Sequence, residues 1–193
     1  MKTLLVLYAT REGHTERIAG RLAVAIRARG HSADAIDAAN PPERFRLDLY
    51  DAALLAASVH AGHHEKEHEK EMVEFVRQHK LGLEQIPTVF LSVSLAEAGA
   101  ENEKASPEMR AKAAADVEEM IHRFLEETGW HPGKIQAVAG ALLYTQYNFL
   151  IRLVMKRIAA ASGGSTDTTL DHTYTDWAML DQLIDELVRN WQA

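Results

Sequence analysis

The chain has 193 residues, 47% of them hydrophobic, and a formal net charge of −7. That length and apolar share suit one α/β domain with a full core, and the acidic balance implies no nucleic-acid partner. There is no Cys, so disulfides, thiolate metal sites and cysteine nucleophiles are excluded, as suits a reducing compartment.

Thr3–Tyr8 (TLLVLY) reads as a buried strand rather than a secretory leader, because the apolar run stops at Thr10-Arg11-Glu12. Thr10-Arg11-Glu12-Gly13-His14-Thr15 follows and leads into a helix of about Gly13–Arg29, closed by Gly30. A strand, a short hydroxyl-rich loop with one Gly and a helix N-terminus together make an anion site. The loop is too short for a P-loop, has no Gly-Lys-Ser/Thr, and lacks the Gly-x-Gly-x-x-Gly of dinucleotide folds. Strands are predicted at Ser32–Ile36, Ala52–Ser58, Thr88–Leu95 and Ile135–Leu143. Helices are predicted at Glu67–His79, from Pro107 to Thr128, and at Asp176–Trp191, with a loop at Ala96–Ser106. Strands alternating with helices imply a parallel sheet covered on both faces, with ligands outside the carboxyl ends of its strands.

Residues 144–175 form an insertion that a minimal five-stranded fold does not need. Tyr144–Ala161 is helical in pattern, and Ser162-Gly163-Gly164-Ser165 breaks it. Thr128 to Thr166 contains no Asp or Glu and carries Lys134, Arg152, Lys156 and Arg157, so this stretch is +4 and the remainder −11. Phe149, Leu150, Leu153, Val154 and Ile158 share the helix with those cations. Two readings stand: a helix lying in a membrane interface, or one packed on its own domain with its cations solvated. No stretch approaches the ~20 apolar residues of a transmembrane helix.

Three loops converge at the strand ends: Thr10–Thr15; Ser58, Val59, His60, Ala61, Gly62 and His63; and Ser92, Val93, Ser94, Leu95, Ala96 and Glu97. The second and third contain no Trp, Tyr or Phe, which leaves room for a second substrate. His64-Glu65-Lys66-Glu67-His68 matches the His-Glu-x-x-His zinc pattern, but its intervening positions are charged and it reads better as a solvated first helical turn. No metal site is assigned, and Gly-x-Ser-x-Gly is absent.

Thr-x-x-Gly-x-Thr after the first strand resembles the FMN-phosphate loop of flavodoxins. Over nearly its whole length the chain resembles the flavodoxin-like, menaquinone-dependent protoporphyrinogen IX dehydrogenases. The matching pieces are MKTLLVLYATREGHT, AASVHAGHH, PTVFLSVSLA, Trp130-His131-Pro132, AVAGALLY, Met155-Lys156, Ser162–Thr168 and Tyr174-Thr175-Asp176-Trp177. Two places depart from the family pattern: His60 and Ala61, and the acidic Ala96–Ser106 loop. The resemblance implies a flavodoxin-like sheet of order 2-1-3-4-5 in one domain spanning 1–193. It implies FMN held by the three loops from Thr10 to Ala96, with no side chain certain to act in catalysis. Protoporphyrinogen IX would lose six electrons in three two-electron steps, with menaquinone or ubiquinone as acceptor. Arg152, Lys156, Arg157 and His63 would attract propionates or the membrane. The expected location is cytoplasmic, peripherally associated with the inner-membrane surface; self-association is left open. An NAD(P)H:quinone reductase and a non-enzymatic electron carrier are the alternatives.

Overall fold

Five apolar runs pair as one parallel sheet. β1 (Thr3–Ala9), β2 (Ser32–Asp37), β3 (Ala52–Ser58), β4 (Thr88–Ser94) and β5 (Lys134–Ala139) stand in the order β2-β1-β3-β4-β5, as the sequence predicts. The structure, a computed structural model, describes residues 1–58, 66–161 and 164–190, with backbone only at 66–69, 161 and 190.

The two-residue period of β1 explains how the layers form. Leu4 and Val6 pack toward α1 (His14–Ala28) and α6 (Trp177–Asn190), joining Ile18, Leu22, Ile26, Leu180 and Ile184. Leu5, Leu7 and Ala9 point the other way, toward α2 (Lys66–Leu83) and a helix over Pro107–Thr128, joining Met72, Val76, Met120 and Phe124. β3 and β4 are buried along almost their whole length, so their sequences run apolar without alternation. Phe90 stacks on Phe124 with ring centroids 4.4 Å apart.

Three boundaries differ from expectation, each for a local reason. The fourth strand stops at Ser94 because its hydroxyl accepts the Glu97 N–H at 3.2 Å, which starts a short helix, α3 (Leu95–Ala100), where a loop was expected. The Pro107–Thr128 helix is therefore α4; Ser106 caps it and Gly129 ends it at φ 61°. The fifth strand stops at Ala139, not Leu143. A Cβ on Gly140 would stand 3.3 Å from the Ser94 carbonyl carbon, and the chain turns there. Ala141–Leu142 (β6) then pairs antiparallel with His172–Thr173 (β7). The insertion helix, α5 (Phe149–Ala161), starts five residues after Tyr144, because Asn148 Oδ1 accepts the Ile151 N–H at 2.9 Å and caps it there. Among the described residues, no helix is long and apolar enough to cross a membrane.

Candidate functional site

A cleft of about 330 Å³ opens at the carboxyl ends of β1, β3, β4 and β5. It lies at the β1/β3 boundary, where the winding of the sheet reverses and doubly wound folds take their ligands.

The loop from β1 to α1 forms its floor. Gly13 is the N-cap of α1 at φ 81°, a left-handed conformation that favours glycine. Its N–H donates to Thr10 Oγ1 at 3.0 Å, which preforms the turn. Among the described residues, no side chain caps α1. The first-turn N–H groups and the positive end of the helix dipole are therefore left for a ligand at the cleft. Thr10, Arg11, Glu12, His14 and Thr15 all line it. Arg11 Nε lies 3.9 Å from Glu12 Oε1.

His14 is 6% exposed. Its Nε2 lies 2.7 Å from Thr175 Oγ1, and that hydroxyl lies 2.6 Å from the Ala139 carbonyl. The hydroxyl has one proton, which goes to the carbonyl, so Nε2 carries the imidazole N–H and Nδ1 is a bare acceptor. Nδ1 is buried without a hydrogen-bond partner among the described residues. Burial, and then the Arg17 guanidinium, push the His14 pKa down to about 4.

The insertion supplies the opposite wall. Tyr147, Ile151 and Met155, spaced four apart, line the cleft with Gln146 and Asn148. Burial, and then the Glu12 carboxylate across the cleft, push the Tyr147 phenol up to about 12. The motifs after the insertion helix fasten this wall. Tyr144 Oη donates to the Ser165 carbonyl at 2.9 Å, the Ser165 N–H to Tyr174 Oη at 3.0 Å, and the Thr145 N–H to Asp171 Oδ1 at 2.9 Å.

Of the residues predicted from sequence, Thr10–Glu12, His14, Thr15, Ser58, Val93, Ser94 and Leu95 line one cleft, with Gly13 shaping its floor. Ser92 is fully buried inside β4, and Ala96 packs beneath the sheet. Val59, His60, Ala61, Gly62 and His63 lie outside the described residues, as do His64 and the side chain of His68 from the zinc-like pattern. Arg152 is not a free cation: its guanidinium donates to the carbonyls of Tyr144 and Tyr147 at 3.0 and 3.1 Å. Lys156 and Arg157 are exposed. The sequence pointed to the insertion helix as a wall of the site but named none of Gln146, Tyr147, Ile151 and Met155; the four-residue spacing of the last three was the available signal.

Residues 5–169 match the family described as Flavodoxin domain. The chain belongs to the flavodoxin family. It is 34% identical over 177 residues to a protein of Escherichia coli (strain K12) named protoporphyrinogen IX dehydrogenase (quinone), covering 92% of this chain and 89% of the relative. A Leishmania major protein of the same name is 32% identical over 178 residues, covering 90% of this chain and 69% of the relative. Among solved structures, oxidised flavodoxin 1 of Bacillus cereus aligns over 83% of this chain and 97% of its own, at 17% identity and a TM-score of 0.44. This flavodoxin is thus an oxidoreductase, and a flavin is its class of cofactor.

Ser94 Oγ accepts the Glu97 N–H as the cap of α3, which leaves its O–H proton to donate at the cleft. Glu97 and Glu101 both have raised pKa values, each by burial first and then by a neighbouring carboxylate, Glu101 and Asp176 respectively.

The His14 environment makes the flavin-free protein acid-sensitive. In the unfolded chain the imidazole titrates near 6.5, and in the folded chain near 4. The unfolded state therefore binds the proton first as pH falls, and this contribution to stability, complete above pH 6.5, is lost progressively down to about pH 4. The melting temperature of wild type should fall over that window relative to His14→Gln, in which Gln still reaches Thr175. Parallel pH profiles for the two proteins would contradict this account of His14.

Proposed function

We propose that this flavodoxin binds FMN in the cleft and oxidises protoporphyrinogen IX to protoporphyrin IX for haem synthesis, with a membrane quinone as electron acceptor. The names of the two relatives supply substrate and acceptor. The observation that most supports them in this chain is the insertion wall, which a minimal electron carrier does not need.

The residues present fit FMN. One uncapped helix start, a left-handed glycine and two threonines suit a single terminal phosphate, not the pyrophosphate of a dinucleotide. When bound, FMN supplies the two-electron redox chemistry. The protein's part is to bind, orient and shield. Thr10, Thr15 and the first-turn N–H groups of α1 hold the phosphate. Ser58, Val93 and Leu95 border the sheet side of the ring site. Tyr147, Ile151 and Met155 form an apolar wall opposite, against which a large tetrapyrrole is positioned. Lys156 and Arg157 are the accessible cations for propionates or anionic headgroups.

The outer face of α5 fits a lipid surface. Its inward residues are Ile151, Met155 and Ala159, while Phe149 is 77%, Leu150 72%, Leu153 48% and Val154 56% exposed. Packing on its own domain therefore accounts for the inner face only. Bare apolar side chains beside Lys156 and Arg157 match an interfacial helix, and a quinone substrate resides in the same bilayer.

The loop assignment predicts that Thr15→Ala weakens FMN binding by about 1–2 kcal/mol, the loss of a hydroxyl bond to a charged group. A Thr10→Ala/Thr15→Ala double variant with unaltered affinity would remove it. The whole reading is tested by anaerobic mixing of the FMN-loaded protein with protoporphyrinogen IX. Bleaching of the flavin by the porphyrinogen, reversed by a menaquinone analogue, is expected; bleaching by NADPH instead would favour a nicotinamide-dependent quinone reductase, and bleaching by neither an electron carrier.

Membrane contact is tested by Leu150→Ser/Leu153→Ser/Val154→Ser, whose side chains point away from the cleft. Turnover with quinone embedded in anionic liposomes should fall by about tenfold or more, the cost of losing apolar burial in the interface. Turnover with a small soluble acceptor should persist. Equal losses with both acceptors would make the face structural rather than lipid-facing.

A further inference from the structure

The buried, unpartnered Nδ1 of His14 is unusual because it belongs to the first residue of the helix whose N-terminus forms the floor of the cleft. The Thr175–Ala139 relay already holds Nε2–H on the other side of the ring. The ring cannot exchange roles, because the Thr175 proton is committed to a carbonyl that only accepts. Nδ1 is thus the one site on His14 that can gain a proton. Trp177 closes the ring edge-on, with centroids 6.2 Å apart, which keeps bulk water from compensating a charge there.

We propose that a phosphate seated on the first turn of α1 draws a solvent proton onto His14 Nδ1, so that binding the phosphorylated ligand and taking up a proton are one event. This rests on the reading of the cleft as an FMN site. The balance is simple. One proton leaves the buffer and bonds to the Nδ1 lone pair; Nε2–H stays on Thr175 Oγ1, and the Thr175 proton stays on the Ala139 carbonyl. The imidazolium then offsets one unit of the phosphate dianion in a poorly hydrated site, where such compensation is strongest.

Among the described residues, the surrounding charges leave this role to His14. On its own helix, Arg17 disfavours the proton when no anion is present. In the loop before it, Arg11 and Glu12 form their own contact at 3.9 Å. At the start of α6, the Asp176 carboxylate accepts the N–H groups of Ala178 and Met179 at 2.9 and 3.0 Å, and Arg21 lies over the outer face of Trp177, 6.0 Å from its centroid. On α3, Glu97 and Glu101 are carboxyls whose pKa values burial raises. Across the cleft, the Tyr147 phenol stays neutral at any working pH. Where β5 ends and β6 begins, Ala139, Gly140 and Ala141 carry no titratable group.

The test is isothermal titration of the full flavin-free protein with FMN at pH 6.5, in two buffers of different ionisation enthalpy, on wild type and His14→Gln. Subtracting the variant removes the protonation of FMN itself. Wild type is expected to take up roughly one proton more than the variant per FMN bound. Riboflavin, which lacks the phosphate, should show no difference between the two proteins. In parallel, nitrogen NMR of wild type should move the His14 Nδ1 signal from the bare to the protonated range on adding FMN, and this holds even if the variant fails to fold. FMN binding with equal proton uptake in both proteins, or with Nδ1 still bare, overturns the inference and leaves the FMN site standing. Failure of FMN to bind at all overturns the site reading beneath it.

Discussion

The uncapped start of α1 is the constraint around which the rest of the cleft is arranged. A helix begins with N–H groups that have no partner within the helix, and natural sequences usually give them a Ser, Thr, Asp or Asn cap. Here Gly13 occupies that place and Thr10 accepts the Gly13 N–H instead, so among the described residues no side chain completes the start of the helix. The buried first residue, His14, adds an unmet group of the opposite kind, the bare acceptor Nδ1. Unmet N–H donors at a helix start are satisfied by an anion, whereas a bare acceptor is satisfied only by a donor or a proton.

The insertion makes a binding notch into a walled site. Thr175 links the start of α1 to the end of β5 through His14 and Ala139, and Tyr174 donates its N–H to the Gly140 carbonyl at 3.0 Å. The same short segment therefore braces the α1 N-terminus and anchors the base of the insertion. The Tyr144–Ser165–Tyr174 bonds and the Arg152 clamp hold α5 with Tyr147, Ile151 and Met155 inward. What remains outward is an apolar face edged by Lys156 and Arg157. A helix that is apolar on both sides has two surfaces to cover, and the cleft covers only one of them.

The parallel sheet was legible in the sequence because β1, β3 and β4 are uninterrupted apolar runs between helix signals, and the strand order was legible through the family resemblance. The turn from β1 to α1 was legible for the same reason: Thr10 and Gly13 sit between strand and helix, with Thr15 in the first helical turn. Less visible were features set by contacts distant in sequence. That Ser94 also caps α3, by accepting the Glu97 N–H, shows only in the fold. Arg152 reads as a substrate cation until the Tyr144 and Tyr147 carbonyls are found around it. The end of β5 at Ala139 depends on how closely Gly140 approaches Ser94, which no local pattern encodes. The motif Tyr174-Thr175-Asp176-Trp177 carries a family likeness in sequence, but only the fold shows that Thr175 fixes the tautomer of a histidine 161 residues away.

The central claim is that one ligand joins the α1 N-terminus to the insertion wall. Amide hydrogen exchange with and without FMN reads both ends at once. The account predicts added protection at residues 10–17 together with 146–155, and little change along α4 or the outer half of α6. Protection confined to the phosphate loop, with 146–155 exchanging as before, would contradict it.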